Sequence, residues 1–329
     1  MKVLLAKSID VKSNIEDKDA FTLAGHLELG IIAAQAFRDI SEIICEKLDL
    51  NLTPDELIQT VMFAIWLHDW GKANEDFQAM IHKNSNKSLL DSWYGINGNQ
   101  VLNPKRRKQS IRHELLSVIL AVKPSVFSWL KSAPNVKIQY AIFAVLGHHL
   151  KVRHSSYFTN ISDNILQVYT NHDNFEKILK LGCKYVGLSE PIPDFKKLNK
   201  FKQETLKNES CKLGGDTDSL LIKLDNKWKG DFHKLKNNAV IKALVMSADL
   251  AASALLTRER GKQDYTDWIK NALAEVMSAL DLEEVIAQRL QGKPLLEFQK
   301  NAVEKKSRVL LVIAGCGAGK SIVPFCIFK

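Results

Sequence analysis

Ile65-Trp66-Leu67-His68-Asp69-Trp70-Gly71-Lys72 is the stretch whose reading sets the fold. An apolar run ends in an adjacent histidine and aspartate, and a lysine follows three residues later. Side-by-side imidazole and carboxylate groups offer a divalent metal two ligands from one short piece of backbone. The run before them has a clear start. Thr53-Pro54-Asp55-Glu56 combines an N-cap, a proline at the first helical position and a capping-box glutamate. Leu57, Val61, Phe63, Ala64, Ile65 and Leu67 then carry a helix to its end, with Gly71 expected to stop it. His68 and Asp69 therefore ride on the last turn of a core helix.

The neighbouring segments are also helical. Residues 22–50 read as one helix, capped by Thr22, with an apolar stripe of Leu23, Leu27, Ile31, Ala34, Ile40, Ile44 and Leu48 and with His26 beside it. Residues 83–110 are polar and rich in Asn, Gly and Ser, and read as a loop closing in Lys105-Arg106-Arg107-Lys108. A helix is expected to begin near Ser110 and to contain Arg112-His113-Glu114. Another runs from Val136 into Gly147-His148-His149. A short helix is expected over residues 174–181, and a polar, basic insertion extends to Asp231. A strongly apolar helix over residues 238–257 contains Ser247-Ala248-Asp249. Two further helices are expected over 265–280 and 282–291. The one convincing buried strand is residues 308–313, leading into Ala314-Gly315-Cys316-Gly317-Ala318-Gly319-Lys320-Ser321.

Composition narrows the function. The 329-residue chain is 46% hydrophobic, enough for a sizeable core. No window offers the roughly 18 uncharged apolar residues of a membrane span, so a soluble cytoplasmic protein is expected. The five cysteines include no C-x-x-C pair, which argues against a disulfide framework and against a cysteine zinc site. Any metal should be held by His and carboxylate. The net charge of +9, clustered in part at residues 105–108 and 196–212, suits a polyanionic partner and equally a solvated face.

The candidate ligands fall at helix ends or on apolar faces: His26, His68, His113, His148, His149, Asp69 and Asp249. An aspartate flanked by Ala and Leu in a core helix is costly unless paired or metal-bound. His82, His154, His172 and His233 read as surface residues.

In this order, Gly25-His26, His68-Asp69-x-Gly71-Lys72, Arg112-His113-Glu114, Gly147-His148-His149 and Ser247-Ala248-Asp249 resemble the HD superfamily of metal phosphohydrolases. They resemble most the HD nuclease domain of the CRISPR-associated nuclease-helicase of type I systems. The resemblance implies an all-α HD-domain helical bundle with a two-metal site. His26, His68, Asp69 and Asp249 would hold one ion, and His113, His148 and His149 the second, with Asp69 bridging. Five imidazoles and two carboxylates suit Fe, Mn, Co or Ni better than a Mg-only oxygen site. Lys72 would contact the scissile phosphate or a hydroxide, and Ser247 could hydrogen-bond within the site or to its own helix backbone. The implied reaction is hydrolysis of single-stranded DNA in concert with a Cascade-like CRISPR surveillance complex, open to a phage inhibitor protein. The rival readings are a phosphohydrolase acting on nucleotides and a non-catalytic docking domain.

The tail resembles the start of a superfamily-two, RecA-like α/β helicase domain. Gln299 fits that family's adenine-reading Q motif. Gly317, Gly319, Lys320 and Ser321 fit its phosphate loop, which would hold ATP in the full-length protein. The expected layout is an HD domain over 1–262, a helical linker over 263–294 and a truncated helicase start over 295–329. No acidic Walker B motif or second RecA-like lobe follows, so this chain is not expected to hydrolyse ATP.

Overall fold

The computed structural model describes residues 2–9, 18–96, 109–149, 165–210, 228, 230–255, 284, 286–288 and 290–304. The chain divides into two compact units, Met1–Lys270 and Asn271–Lys329.

The first unit is mostly helical. A 3₁₀ turn, Lys18–Phe21, leads into α1 (Leu23–Ala36) and α2 (Arg38–Lys47). They are followed by α3 (Pro54–His68), α4 (Glu75–Asn84), α5 (Lys87–Tyr94), α6 (His113–Ala121), α7 (Pro124–Leu130) and α8 (Ile138–Gly147). A two-stranded antiparallel sheet pairs β1 (Ile165–Gln167) with β2 (Lys200–Lys202), in register Leu166 to Phe201. Between the strands lies α9 (Asp173–Leu181); after them come α10 (Gln203–Ser210) and α11 (Phe232–Leu255). Among its described residues, the second unit contributes α12 (Glu297–Glu304). No helix among the described residues is long and apolar enough to cross a membrane.

The axle of the first unit is α3. Thr53 accepts from the Glu56 N–H and Glu56 reaches back to the Thr53 N–H, the expected reciprocal cap. Every residue from Thr60 to His68 is buried. An α-helix with no exposed face must be surrounded, and α3 packs against α1, α2, α6, α8 and α11. At its C-terminal end, Trp66 stacks edge-on against Trp70 and Trp129, and its indole N–H donates to the Ile178 carbonyl at 2.6 Å. Phe175 and Phe195 pack on Trp70. This aromatic layer holds the end of α3 from below and leaves His68 and Asp69 facing the other helices.

Several expectations are corrected. The single helix over 22–50 is two helices. The chain turns at Phe37, whose N–H bonds to Ala34 O three residues back rather than four, and α2 then packs on α3. Hydrophobic periodicity runs through this turn unbroken, so the pattern conceals it. The loop over 83–110 contains α5: Asn86 caps it by accepting from the Leu89 N–H, and buried Leu90 with half-buried Leu89 and Trp93 forms its inner stripe. Helix α11 starts six residues before the expected 238, on the polar His233, Lys234 and Lys236. The short strands β1 and β2 each bury one side chain, Leu166 and Phe201, too few to leave an alternating signature. The expected helices over 265–280 and most of 282–291, the basic run at 105–108, the strand at 308–313 and the phosphate loop with Gly317, Gly319, Lys320 and Ser321 lie outside the described residues.

Candidate metal centre

The end of α3 does not use Gly71 as a left-handed stop. Asp69 is the C-cap, and Trp70–Lys72 continue as a 3₁₀ turn. Gly71 is needed for close approach: a Cβ there would stand 2.0 Å from His113 O and 2.9 Å from Ser117 N. Only a residue without a side chain lets the His-Asp turn sit directly on the first turn of α6. Ser117 then joins the two segments. Its buried hydroxyl accepts from the Gly71 N–H at 2.8 Å and lies 2.8 Å from His68 O and 2.9 Å from His113 O. Below the turn, Asn74 donates to Gly71 O and Gln78 donates to Lys72 O.

Around this turn the fold collects the candidate ligands from five segments. Asp69 is fully buried and faces different partners with its two oxygens. Oδ2 lies 3.3 Å from His68 Nε2, 3.4 Å from His26 Nε2 and 2.6 Å from Lys72 Nζ. Oδ1 lies 3.3 Å from His113 Nε2. Asp249, on α11, places Oδ1 3.2 Å from His26 Nε2 and 3.5 Å from His68 Nε2. His149 Nε2 is 3.1 Å from His113 Nε2, and the His148 ring stacks between His68 and His149. Three overlapping trios have donor atoms close enough to share an ion: His26, His68 and Asp249; His68, Asp69 and His148; His113, His148 and His149. All seven ligands expected from the sequence, and Lys72, are thus brought together.

The donor chemistry fits a metal. Nδ1 of His68 and Nδ1 of His148 each lie 2.6 Å from the carbonyl three residues back, Ile65 O and Val145 O. A carbonyl can only accept, so Nδ1 carries a proton in both rings; Nε2 of His148 faces the centre bare, and Nε2 of His68 faces it ready to coordinate once its own proton is released. Those two Nε2 atoms, His26 Nε2 and Asp69 Oδ1 are buried without a hydrogen-bond partner among the described residues. Buried polar atoms crowded together in this way are costly unless positive charge, a proton or a metal ion, sits among them.

Charge in the site is distributed unevenly. Burial opposes the charged form of His68, but Asp69 and Asp249 outweigh it and raise the imidazole from 6.5 to about 10. Burial and the neighbouring His68 charge push His148 down to about 3. Burial likewise takes His113 well below its ordinary value, against the pull of Asp69. Burial resists ionisation of Asp69 and Asp249, yet the adjacent histidines, with Lys72 for Asp69, hold both carboxyls well below the usual range. One protonated imidazole and one ammonium thus stand in for the positive charge that the carboxylates require.

The model of the family described as "Cas3, HD domain" matches residues 12–254. The chain belongs to this family. A protein of Myxococcus xanthus (strain DK1622), provisionally named CRISPR-associated nuclease/helicase Cas3, is 28% identical over 340 residues. The match takes in 99% of this chain and 40% of that protein, so the chain spans about two fifths of its relative's length. No solved structure gives a match.

For a Cas3 HD domain, two contributions were not legible as site residues in advance. Ser117 sits four residues after His113, where a serine ordinarily bonds only its own helix. Buried Glu114 pairs with Arg112 and places Oε2 3.5 Å from His113 Nδ1, a carboxylate behind a candidate ligand. Ser247, by contrast, is exposed and bonds Ala243 O at 2.9 Å, outside the site. Among the histidines expected at the surface, His233 is exposed. His82 and His172 are half-buried: His82 bonds Val3 O, and His172 caps α9 by accepting from the Asn174 N–H. His154 lies outside the described residues. In the second unit, Gln299 accepts from the Leu296 N–H at 2.7 Å, half of a capping box on α12.

Proposed function

We propose that this chain is a metal-dependent phosphodiesterase that cleaves single-stranded DNA. It would hold two divalent transition ions: one at His26, His68, Asp69 and Asp249, the other at His113, His148 and His149, with Asp69 shared. The observation that carries the reading is the buried carboxylate of Asp69, whose oxygens are directed at two different sets of imidazoles. A bridging ligand requires that arrangement, whereas a structural His–Asp pair needs only one oxygen.

Bound ions would polarise a phosphodiester and make water acidic enough to attack near neutral pH. The chain's own contributions can be argued separately. His68 and His148, fixed through Nδ1, aim Nε2 at the centre without turning their rings, His148 with its lone pair free and His68 after losing a proton. Lys72 is 14% exposed, so its ammonium is paired with Asp69 without being sealed from solvent. Bound ions would release it from Asp69 to neutralise charge on the phosphate. The net charge of +9 favours a polyanionic strand over a neutral substrate. By likeness to its relative, the substrate strand would be delivered in a CRISPR nuclease/helicase context with a surveillance complex as partner. ATP would be bound only in a longer nuclease/helicase.

The test is direct. The purified chain, loaded with Mn²⁺ or Ni²⁺, should degrade circular single-stranded DNA, and His68→Ala should abolish cleavage and reduce bound metal. Preferential hydrolysis of free nucleotides over DNA would overturn the substrate assignment. A protein that binds neither ion would overturn the enzyme.

A further inference from the structure

Lys242 lies two turns before Asp249 on the same face of α11, seven residues and about 10 Å along the axis. Its side chain is laid across Gly147, immediately before the His148-His149 pair. A Cβ at Gly147 would stand 3.2 Å from Lys242 Nζ, 3.3 Å from Cε and 3.5 Å from Cδ. The stem therefore runs flat over the end of α8, and glycine makes the room for it. The residue is half-buried. No side chain or carbonyl among the described residues is within hydrogen-bond or ion-pair distance of its ammonium. A half-buried cation gives up part of its hydration, and Lys72, at the candidate ligands, has the Asp69 carboxylate in return.

We propose that Lys242 is a substrate-binding residue that holds a phosphate next to the scissile one and so sets the path of the strand past His148 and His149. The proposal rests on the nuclease reading above and adds a named contact to it. The geometry favours an oligonucleotide over a mononucleotide. Lys72 and Lys242 are two cations on different elements, one at the candidate ligands and one displaced along α11. A strand offers a further phosphate for the second cation, which a mononucleotide held at the metal ligands through its one phosphate lacks. The C-terminal end of α8 also carries partial negative charge, which explains why a cation is tolerated there without explaining why it is left without a partner.

The test compares two substrates on the metal-loaded full chain: a single-stranded oligonucleotide and bis(p-nitrophenyl) phosphate, whose one phosphate reaches only the metal ligands. Lys242→Met keeps the aliphatic stem on Gly147 and removes the charge. It should raise KM for the oligonucleotide about tenfold, with kcat, bound metal and bis(p-nitrophenyl) phosphate hydrolysis unchanged. It should also reduce the slope of log KM against log salt by about 0.7, one phosphate contact on a single strand. Lys242→Arg should restore both. An unchanged KM and salt slope in Lys242→Met overturns the proposal. So does an equal loss on both substrates together with a lower melting temperature, which marks a structural role at the end of α8. A wild-type chain that hydrolyses bis(p-nitrophenyl) phosphate but not DNA overturns the substrate reading and this contact together. One that hydrolyses neither overturns the enzyme itself.

Discussion

Lys72 Nζ stands 2.6 Å from Asp69 Oδ2, on a carboxylate whose two oxygens also face His26, His68 and His113. The ammonium is paired with the carboxylate around which the ligand set is gathered. Asp69 is therefore the residue on which both halves of the site depend. Asp69→Asn keeps the shape and removes the charge. It should lower bound metal, measured by elemental analysis, and reduce DNA cleavage by about 10³-fold. Normal metal content with full activity would sink the bridging role.

Proton release should accompany metal loading. His68 in the metal-free chain is raised from 6.5 to about 10, so it carries a proton at pH 7.5, and its Nε2 must give that proton up to coordinate. His148 is held near 3 and is already neutral. Calorimetry in buffers of different ionisation enthalpy should therefore report about one proton released at the His68 site. The sign for stability follows from the raised value. The His68–carboxylate pairing contributes fully below about 6.5 and is lost as pH rises toward 10. The metal-free protein should weaken across that window while metal affinity increases. Affinity that falls between pH 7 and 9 would contradict this account.

Ser117→Ala removes the hydroxyl shared by Gly71, His68 and His113. The Gly71 N–H would be left buried and unpaired, at a cost of about 1–3 kcal/mol in denaturant unfolding. The larger signature should be functional. Once the His-Asp turn can shift against α6, the sets on either side of Asp69 lose their register, and metal affinity should fall about 10–100-fold. Lost stability with unchanged affinity would confine Ser117 to the fold.

Much of this site was readable because its ligands are marked by local chemistry. His68-Asp69 closes a helix whose start is written in Thr53 to Glu56, and Asp249 is conspicuous because a carboxylate among Ala and Leu is expensive. Family resemblance supplied the grouping, since nothing in spacing alone brings His26 to Asp249 across more than two hundred residues. The unread parts depend on tertiary approach. Gly71 resembles a helix stop in one dimension and is a packing contact with His113 in three. Ser117 looks like a helix-interior serine until the turn it clamps is beside it. Phe37 breaks a helix without disturbing its periodicity, and α5 forms where polar composition alone suggests a loop.

The aromatic layer under α3 gives the last prediction. Trp66 is fully buried, stacks at 4.6 Å on Trp70 and 5.8 Å on Trp129, and donates to Ile178 O. Trp66→Ala would open a cavity and leave that carbonyl without its donor, for about 3–5 kcal/mol. A loss that size is a large share of a domain's total stability, so Trp66→Phe is the informative variant. It keeps most of the volume, removes the N–H, and should cost about 1–3 kcal/mol. Because Trp66 lies two residues before His68 on the same last turn, the Phe variant should also weaken metal binding, although it touches no ligand. If it loses stability but binds metal as tightly as the wild type, the end of α3 is held by its own backbone and by Ser117, and the aromatic layer serves folding alone.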